Sequence, residues 1–137
     1  MANLENILKT LGPEFEKRAP ILDADNRFAR ENLSALNEAG IYKTLIPKEL
    51  GGGGSSYSEL CYFLKDLAKF CPSTALTLSM HQHLTAVLVF KHLNGDSGAT
   101  STLKMVIPTT FPLDLSTMAE PESPWETSQP LAKDHAL

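Results

Sequence analysis

The stretch TALTLSMHQHLTAVLVFKHL, Thr74 to Leu93, decides the fold. Ala75, Leu76, Leu78, Met80, Leu84, Ala86, Val87, Leu88, Val89, Phe90 and Leu93 spread around most of a helix circumference and leave almost no polar stripe. That pattern predicts a helix buried on every side. A length of about 20 residues approaches the lower limit for crossing a bilayer. His81, His83, His92, Gln82 and Lys91 lie inside it, however, and such groups are costly in hydrocarbon. The stretch therefore belongs at the centre of a helical domain in water, not across a membrane.

Working upstream, Leu60, Phe63, Leu64, Leu67, Ala68 and Phe70 recur at three- and four-residue intervals, and Pro72 stops the helix they mark. Ser56 and Glu59 have the spacing of a capping box at its start. Ser73 is the expected cap of the central helix, and Asn94-Gly95 its end. The tetraglycine Gly51 to Gly54 has neither the spaced glycines nor the following lysine of a phosphate-binding loop. It predicts a tight turn that needs positive φ. Before it, IYKTLIP is too short and too β-branched for a helix, so Ile41 to Pro47 should be an apolar connector pressed on the core. Arg27 to Ala39 sets Phe28, Leu33, Leu36 and Ala39 toward one side, with Gly40 as a left-handed cap. At the start, Leu4, Ile7, Leu8 and Leu11 mark a short helix, and Gly12-Pro13 should break it before a second segment running to about Leu22.

Downstream the composition changes. Ser97 to Leu137 holds five Ser, six Thr and five of the nine prolines, a density through which helices cannot run for long. Leu103 to Ile107 has the makings of one short element. The rest of 96–137 is expected to be mostly disordered, the product of a shifted reading frame or an early truncation. The domain proper is expected to be residues 1–95.

The 137 residues allow one domain of ordinary size, and a 42% hydrophobic content supports a core. Acids and bases balance up to Gly95, so the net charge of −4 resides beyond it. No basic stripe with interleaved aromatics appears, which argues against nucleic acid as a partner. Cys61 and Cys71 sit about 15 Å apart along one predicted helix, too far to pair. MANLENILKT lacks a charged segment followed by an apolar run, so no signal peptide is read, and a cytoplasmic, reducing compartment is expected.

Candidate chemistry is sparse. His81 and His83 are separated by about 200° around a helix and cannot chelate one ion together. No Asp or Glu lies between Asp66 and Asp96 to complete a helical zinc motif. Ser79 and Cys71 lack spaced partners that could serve as base and orienter. Asp23 and Asp25 have the look of a solvated turn. No catalytic, cofactor-binding or metal-binding residue is assigned.

The order of motifs nevertheless resembles one family. The Ala39-Gly40 helix end, the Ile46-Pro47-Lys48-Glu49-Leu50-Gly51-Gly52 turn, Tyr57 to Glu59, Leu67-Ala68, and Ser73 to Ala75 opening a long apolar helix resemble the N-terminal all-helical domain of acyl-CoA dehydrogenases. The resemblance runs from about Asn3 to Gly95. It implies an all-α helical bundle that belongs, in full-length members, to a homo-oligomeric FAD-dependent oxidoreductase acting on acyl-CoA thioesters. In that family the flavin and the catalytic glutamate are supplied by two further domains, whose segments this chain does not show. The resemblance therefore implies that the chain alone is inactive and holds no FAD tightly. It also gives the central helix a role as the bottom of the acyl pocket, with Met80 at the cavity end and Leu76, His83 and Leu84 beside it. Flavin-dependent monooxygenases, a second enzyme class on the same fold, are the alternative. A helical interaction module without enzymatic activity is the rival from another class.

Overall fold

The computed structural model describes residues 4–106. They form five α-helices: α1 (Leu4–Ala24), α2 (Arg30–Glu38), α3 (Tyr57–Phe70), α4 (Pro72–Leu93) and α5 (Ser97–Val106), with two 3-10 turns at Ile41–Lys43 and Lys48–Leu50. No strand occurs among the described residues, so the all-α class stands. Helix α3 packs between α1 and α4, and α5 folds back along α4. The core between them is Phe15 and Leu22 of α1, Leu33 and Leu36 of α2, Ile41, Leu45 and Ile46 of the connector, Leu60, Phe63 and Leu67 of α3, Leu78 of α4 and Leu103 of α5.

Helix α1 is continuous, contrary to the break expected at Gly12-Pro13. Pro13 removes the N–H that would donate to the Lys9 carbonyl, and a proline inside a helix costs about 3 kcal/mol. Leu8, Phe15 and Leu22 lie on the same side of the helix as Gly12 and are all buried. Burying each such side chain returns roughly 1.5–3 kcal/mol, which offsets the proline. Gly12 allows this approach, because a Cβ there would lie 2.8 Å from the Phe70 ring of α3.

Helix α2 begins three residues later than its apolar pattern suggested. Asn26 takes positive φ in the turn after α1, and Phe28 is 51% exposed before the helix starts. Gly40 does adopt the left-handed conformation, at φ 77°. The connector from Ile41 onward is a pair of 3-10 turns with Ile41, Leu45 and Ile46 buried.

The tetraglycine is a turn wound tightly on the connector. Gly51 and Gly54 have φ of 89° and 65°. A Cβ on Gly52 would run into Ile46, and one on Gly53 would lie 2.8 Å from the Thr44 carbonyl oxygen. Helix α3 then opens with the full capping box: Glu59 N–H donates to Ser56 Oγ at 3.2 Å, and Ser56 N–H donates to Glu59 Oε2 at 2.7 Å. The hydrogen bonds from Ser56 hold the Glu59 carboxyl below the usual glutamate range.

Two helix ends differ from expectation. Cys71 serves both as the C-cap of α3 and as the N-cap of α4, with Pro72 in the first turn, so Ser73 lies inside α4. Beyond Asn94 and Gly95 the chain does not leave the domain. Ser97–Val106 forms α5 and buries Ala99 and Leu103 against the bundle. Asp96 Oδ1 accepts from Ala99 N–H at 3.0 Å, capping this helix. Thr100, Ser101 and Thr102 donate their hydroxyls to carbonyls four residues back, so the polar groups of this Ser/Thr-rich stretch are satisfied within the helix itself. The disorder expected for the remainder of the tail lies outside the described residues.

Candidate functional site

Helix α4 is positioned by contacts along one side only. Thr74, Ala75, Leu78, Gln82 and Thr85 face inward and are buried. Three of these five are polar, and each has an anchor. Thr74 Oγ1 accepts from Asn32 Nδ2 of α2 at 3.0 Å and donates to Cys71 Sγ, also at 3.0 Å, while Asn32 Oδ1 accepts from Arg18 of α1 at 2.9 Å. Gln82 Nε2 donates to the Ile41 carbonyl of the connector at 2.8 Å. Thr85 donates to the His81 carbonyl within its own helix. The bonds of Thr74 and Gln82, which cross to other elements, fix the rotation of the helix as well as its position.

That rotation turns the opposite face outward. Leu76, Met80, Leu84, Phe90 and Leu93 are each 65–69% exposed and Val87 is 42% exposed, so the expectation of a helix buried on every side is overturned. The physical reason is that α2, α3 and α5 cover only one side of α4 among the described residues. A hydropathy pattern cannot distinguish a side covered by this domain from one left for something else.

All four residues singled out from the sequence, Leu76, Met80, His83 and Leu84, fall on this outward face and are exposed. Of these four, only His83 also borders a groove of about 550 Å³ between the C-terminal half of α4 and the chain entering α3. Its walls include Leu45, Tyr57, Val87, Phe90 and Leu93, with Ser55 and Ser56 at the edge. Val87 and Phe90 escaped the sequence reading, although they continue the alternating four- and three-residue step of Leu76, Met80 and His83. Tyr57 could not have been found that way, because only the antiparallel pairing of α3 and α4 brings it there.

The remaining candidates have structural roles. His81 is half-buried and meets Tyr42 edge-on, with ring centroids 4.7 Å apart at 75°. Burial holds its imidazole below the ordinary histidine value and pushes the Tyr42 phenol up. His92 Nδ1 lies 2.7 Å from Thr100 Oγ1, pinning α5 to α4. No group of three or more His, Cys, Asp or Glu among the described residues is placed to hold a metal ion. Cys71 is fully buried: burial raises its thiol, but hydrogen bonds from Ser73 and Thr74 more than reverse this and leave it below the usual value. Cys61 and Cys71 are both free thiols. Among the described residues no helix is long and apolar enough to cross a membrane.

Neither the glycine turn nor the groove offers phosphate ligands for a flavin. A dinucleotide needs free amides or cations for its phosphates, whereas the glycine turn has spent its amides. Gly52, Gly53, Gly54 and Ser55 N–H donate to the carbonyls of Pro47, Lys43, Ile46 and Thr44 respectively. The groove walls bear no Lys or Arg.

Fold and face together define an all-α helical domain that presents one apolar side of its longest helix outward. The chain belongs to the acyl-CoA dehydrogenase family: residues 5–96 match the family model described as "Acyl-CoA dehydrogenase, N-terminal domain". Over 88 residues it is 30% identical to a Clostridium acetobutylicum protein named "Acyl-CoA dehydrogenase, short-chain specific", an alignment covering 64% of this chain and 21% of that relative. Over 82 residues it is 32% identical to an Anaerotignum propionicum protein named "Acryloyl-CoA reductase (NADH)", covering 56% of this chain and 21% of the relative. The chain thus spans about a fifth of the length of these curated relatives. No solved structure matches it significantly.

Proposed function

We propose that this chain supplies the helical wall of an acyl pocket in an FAD-dependent, acyl-CoA dehydrogenase-like oxidoreductase, and that the 137-residue polypeptide alone neither holds FAD tightly nor oxidises acyl-CoA. The observation that carries this reading is the outward face of α4, where Leu76, Met80, His83 and Leu84 stand together and exposed. An alkyl chain laid on such a surface gains about 0.8 kcal/mol for each methylene removed from water. Met80, unbranched and polarizable, suits a wall that must adapt to the end of that chain. Neither α4 nor the groove carries an Asp or Glu, so a carboxylate that abstracts a proton from the substrate would have to come from outside the described residues, as would the groups that hold the flavin.

The test uses the purified polypeptide with methyl-labelled Met and Leu. Titration with acyl-CoA thioesters of increasing chain length should move the Met80, Leu76 and Leu84 methyl resonances, increasingly with length, while CoA alone leaves them unmoved. If these methyls do not respond to any thioester, the acyl-wall reading is refuted. Dye reduction by the polypeptide with acyl-CoA and FAD would refute its inactivity.

A further inference from the structure

We infer that the cleft between the C-terminal end of α1 and the start of α2 binds a short aliphatic carboxylate of about four to six carbons. Its walls are Arg18, Ile21 and Leu22 of α1, Arg27 of the turn and Glu31 of α2, around a space of about 210 Å³. Since one water takes roughly 30 Å³ of the liquid, that space holds about seven non-hydrogen atoms, the number in a five-carbon carboxylate. None of the wall residues belongs to the outward face of α4, so the inference goes beyond the acyl-wall reading and does not rest on it.

Arg18 is half-buried and already held in place. Its Nη1 donates to Asn32 Oδ1 at 2.9 Å. Asn32 is 0% exposed and donates in turn to Thr74 of α4 at 3.0 Å, so the guanidinium is tied to a fixed point in the core. The Nε–Nη2 edge makes no hydrogen bond among the described residues. That edge presents two parallel N–H groups at the spacing of the two oxygens of a carboxylate. A guanidinium positioned in advance loses less freedom on binding than a mobile one.

Arg27 supplies the second cation. Its ion pair with Glu31 is long, at 3.7 Å, and both side chains are more than half exposed, at 58% and 53%. Such a pair contributes little and exchanges readily for another carboxylate. Two arginines against one glutamate leave the walls with one net positive charge, which suits a monoanion. Leu22, buried, and Ile21, 57% exposed, form the apolar side. A phosphate or an acetate would use the guanidinium groups and leave that side wet, whereas an aliphatic tail covers it. Each methylene fully removed from water tightens binding about fourfold, and one half-covered in an open cleft about twofold.

The chain has three arginines, of which Arg18 and Arg27 line the cleft and Arg30 does not. Nitrogen–proton spectra of their Nε–H groups, recorded on the full 137-residue chain during titration with pentanoate at constant ionic strength, therefore carry their own control. Arg18 and Arg27 should shift on one saturating curve while Arg30 stays in place. Acetate, three methylenes shorter, should move the same two resonances but bind roughly five- to tenfold more weakly. Arg27→Gln should weaken pentanoate by about fivefold or more. Ile21→Ser should leave acetate binding as it was and remove most of the preference for pentanoate. Both positions are exposed, so the helical circular dichroism of the two variants should match the wild type. A response that never saturates, equal shifts at all three arginines, or equal affinity for acetate and pentanoate overturns the inference. Pentanoate binding that is indifferent to Arg27→Gln, or a chain-length preference that survives Ile21→Ser, overturns it as well.

Discussion

Leu76 and Leu78 make the sharpest test of how α4 is oriented. They are the same residue type, two positions apart in one helix, and periodicity treats both as core. In the structure Leu78 is 0% exposed and Leu76 is 67% exposed. Leu78→Ala removes side-chain atoms from the fully packed interior and leaves a cavity beside the buried residues of α3, so it should cost about 2–5 kcal/mol. Leu76 has only a third of its surface covered, which leaves roughly 0.5–1 kcal/mol of burial to lose. The helix propensity of alanine favours both variants equally and cancels in the comparison. The two variants should therefore differ by at least about 1 kcal/mol, which for a domain of this size is roughly 4–8 °C in melting temperature. Urea unfolding followed by helical circular dichroism measures this directly. It should be run at low micromolar protein, where any association contributes least to the apparent stability of either variant. Equal costs in dilute solution would show that the outward face is buried in the single chain, and the placement of α4 would be wrong.

Other consequences are equally direct. Gly52→Ala should destabilise the fold by about 2 kcal/mol or more, since the new Cβ meets the Ile46 backbone and no flexible side chain can yield; a midpoint shift below a quarter of that would contradict the packing of the turn. Ser56→Ala removes the N-cap of α3 and should cost about 1 kcal/mol at neutral pH. Because Glu59 has a depressed folded value, the stability it contributes is present above the ordinary glutamate range and lost as pH falls through the folded value, so the gap between wild type and Ser56→Ala should narrow in acid. For His81 burial depresses the folded value, so the fold takes up fewer protons than the unfolded chain as pH drops through the ordinary imidazole range, and stability declines there. His81→Phe, which keeps a ring against Tyr42, should flatten the change in urea midpoint between about pH 7.5 and about pH 5; an unaltered slope would place the origin of the pH dependence elsewhere.

Much of the fold was legible because its signals are local. The Ser56 and Glu59 capping box, the left-handed Gly40 and Gly51, and the stop at Pro72 each follow from the chemistry of a few adjacent residues, and each appears where the sequence put it. The misreadings are those in which distant contacts override local preference. Pro13 should break a helix, and fails to because Leu8, Phe15 and Leu22 hold both halves of α1 to one core. The Ser/Thr density after Gly95 looks disordered, yet Ala99 and Leu103 supply two buried anchors and the hydroxyls bond to their own helix. The candidate site was half legible: Leu76, Met80, His83 and Leu84 do share a face, but the groove belongs to Tyr57, Val87 and Phe90 as much as to any of them.

The two faces of α4 explain why hydropathy could go only so far. Its buried side carries Thr74, Gln82 and Thr85, while its exposed side carries Leu76, Met80, Leu84, Phe90 and Leu93. Judged by residue type alone, the assignment of inside and outside would be reversed or left undecided. The polar groups can face inward because Asn32, the Ile41 carbonyl and the turn of α4 itself satisfy most of their hydrogen bonds. Apolar groups can face outward at no large cost to a folded domain, since a surface leucine is as exposed in the unfolded chain as in the native one. The cost falls instead on solubility, because a contiguous apolar stripe running the length of a 22-residue helix marks an interaction site or an aggregation liability. The rotation of this one helix, set by the bonds of Thr74 and Gln82 to neighbouring elements, therefore determines which apolar side chains the domain presents outward.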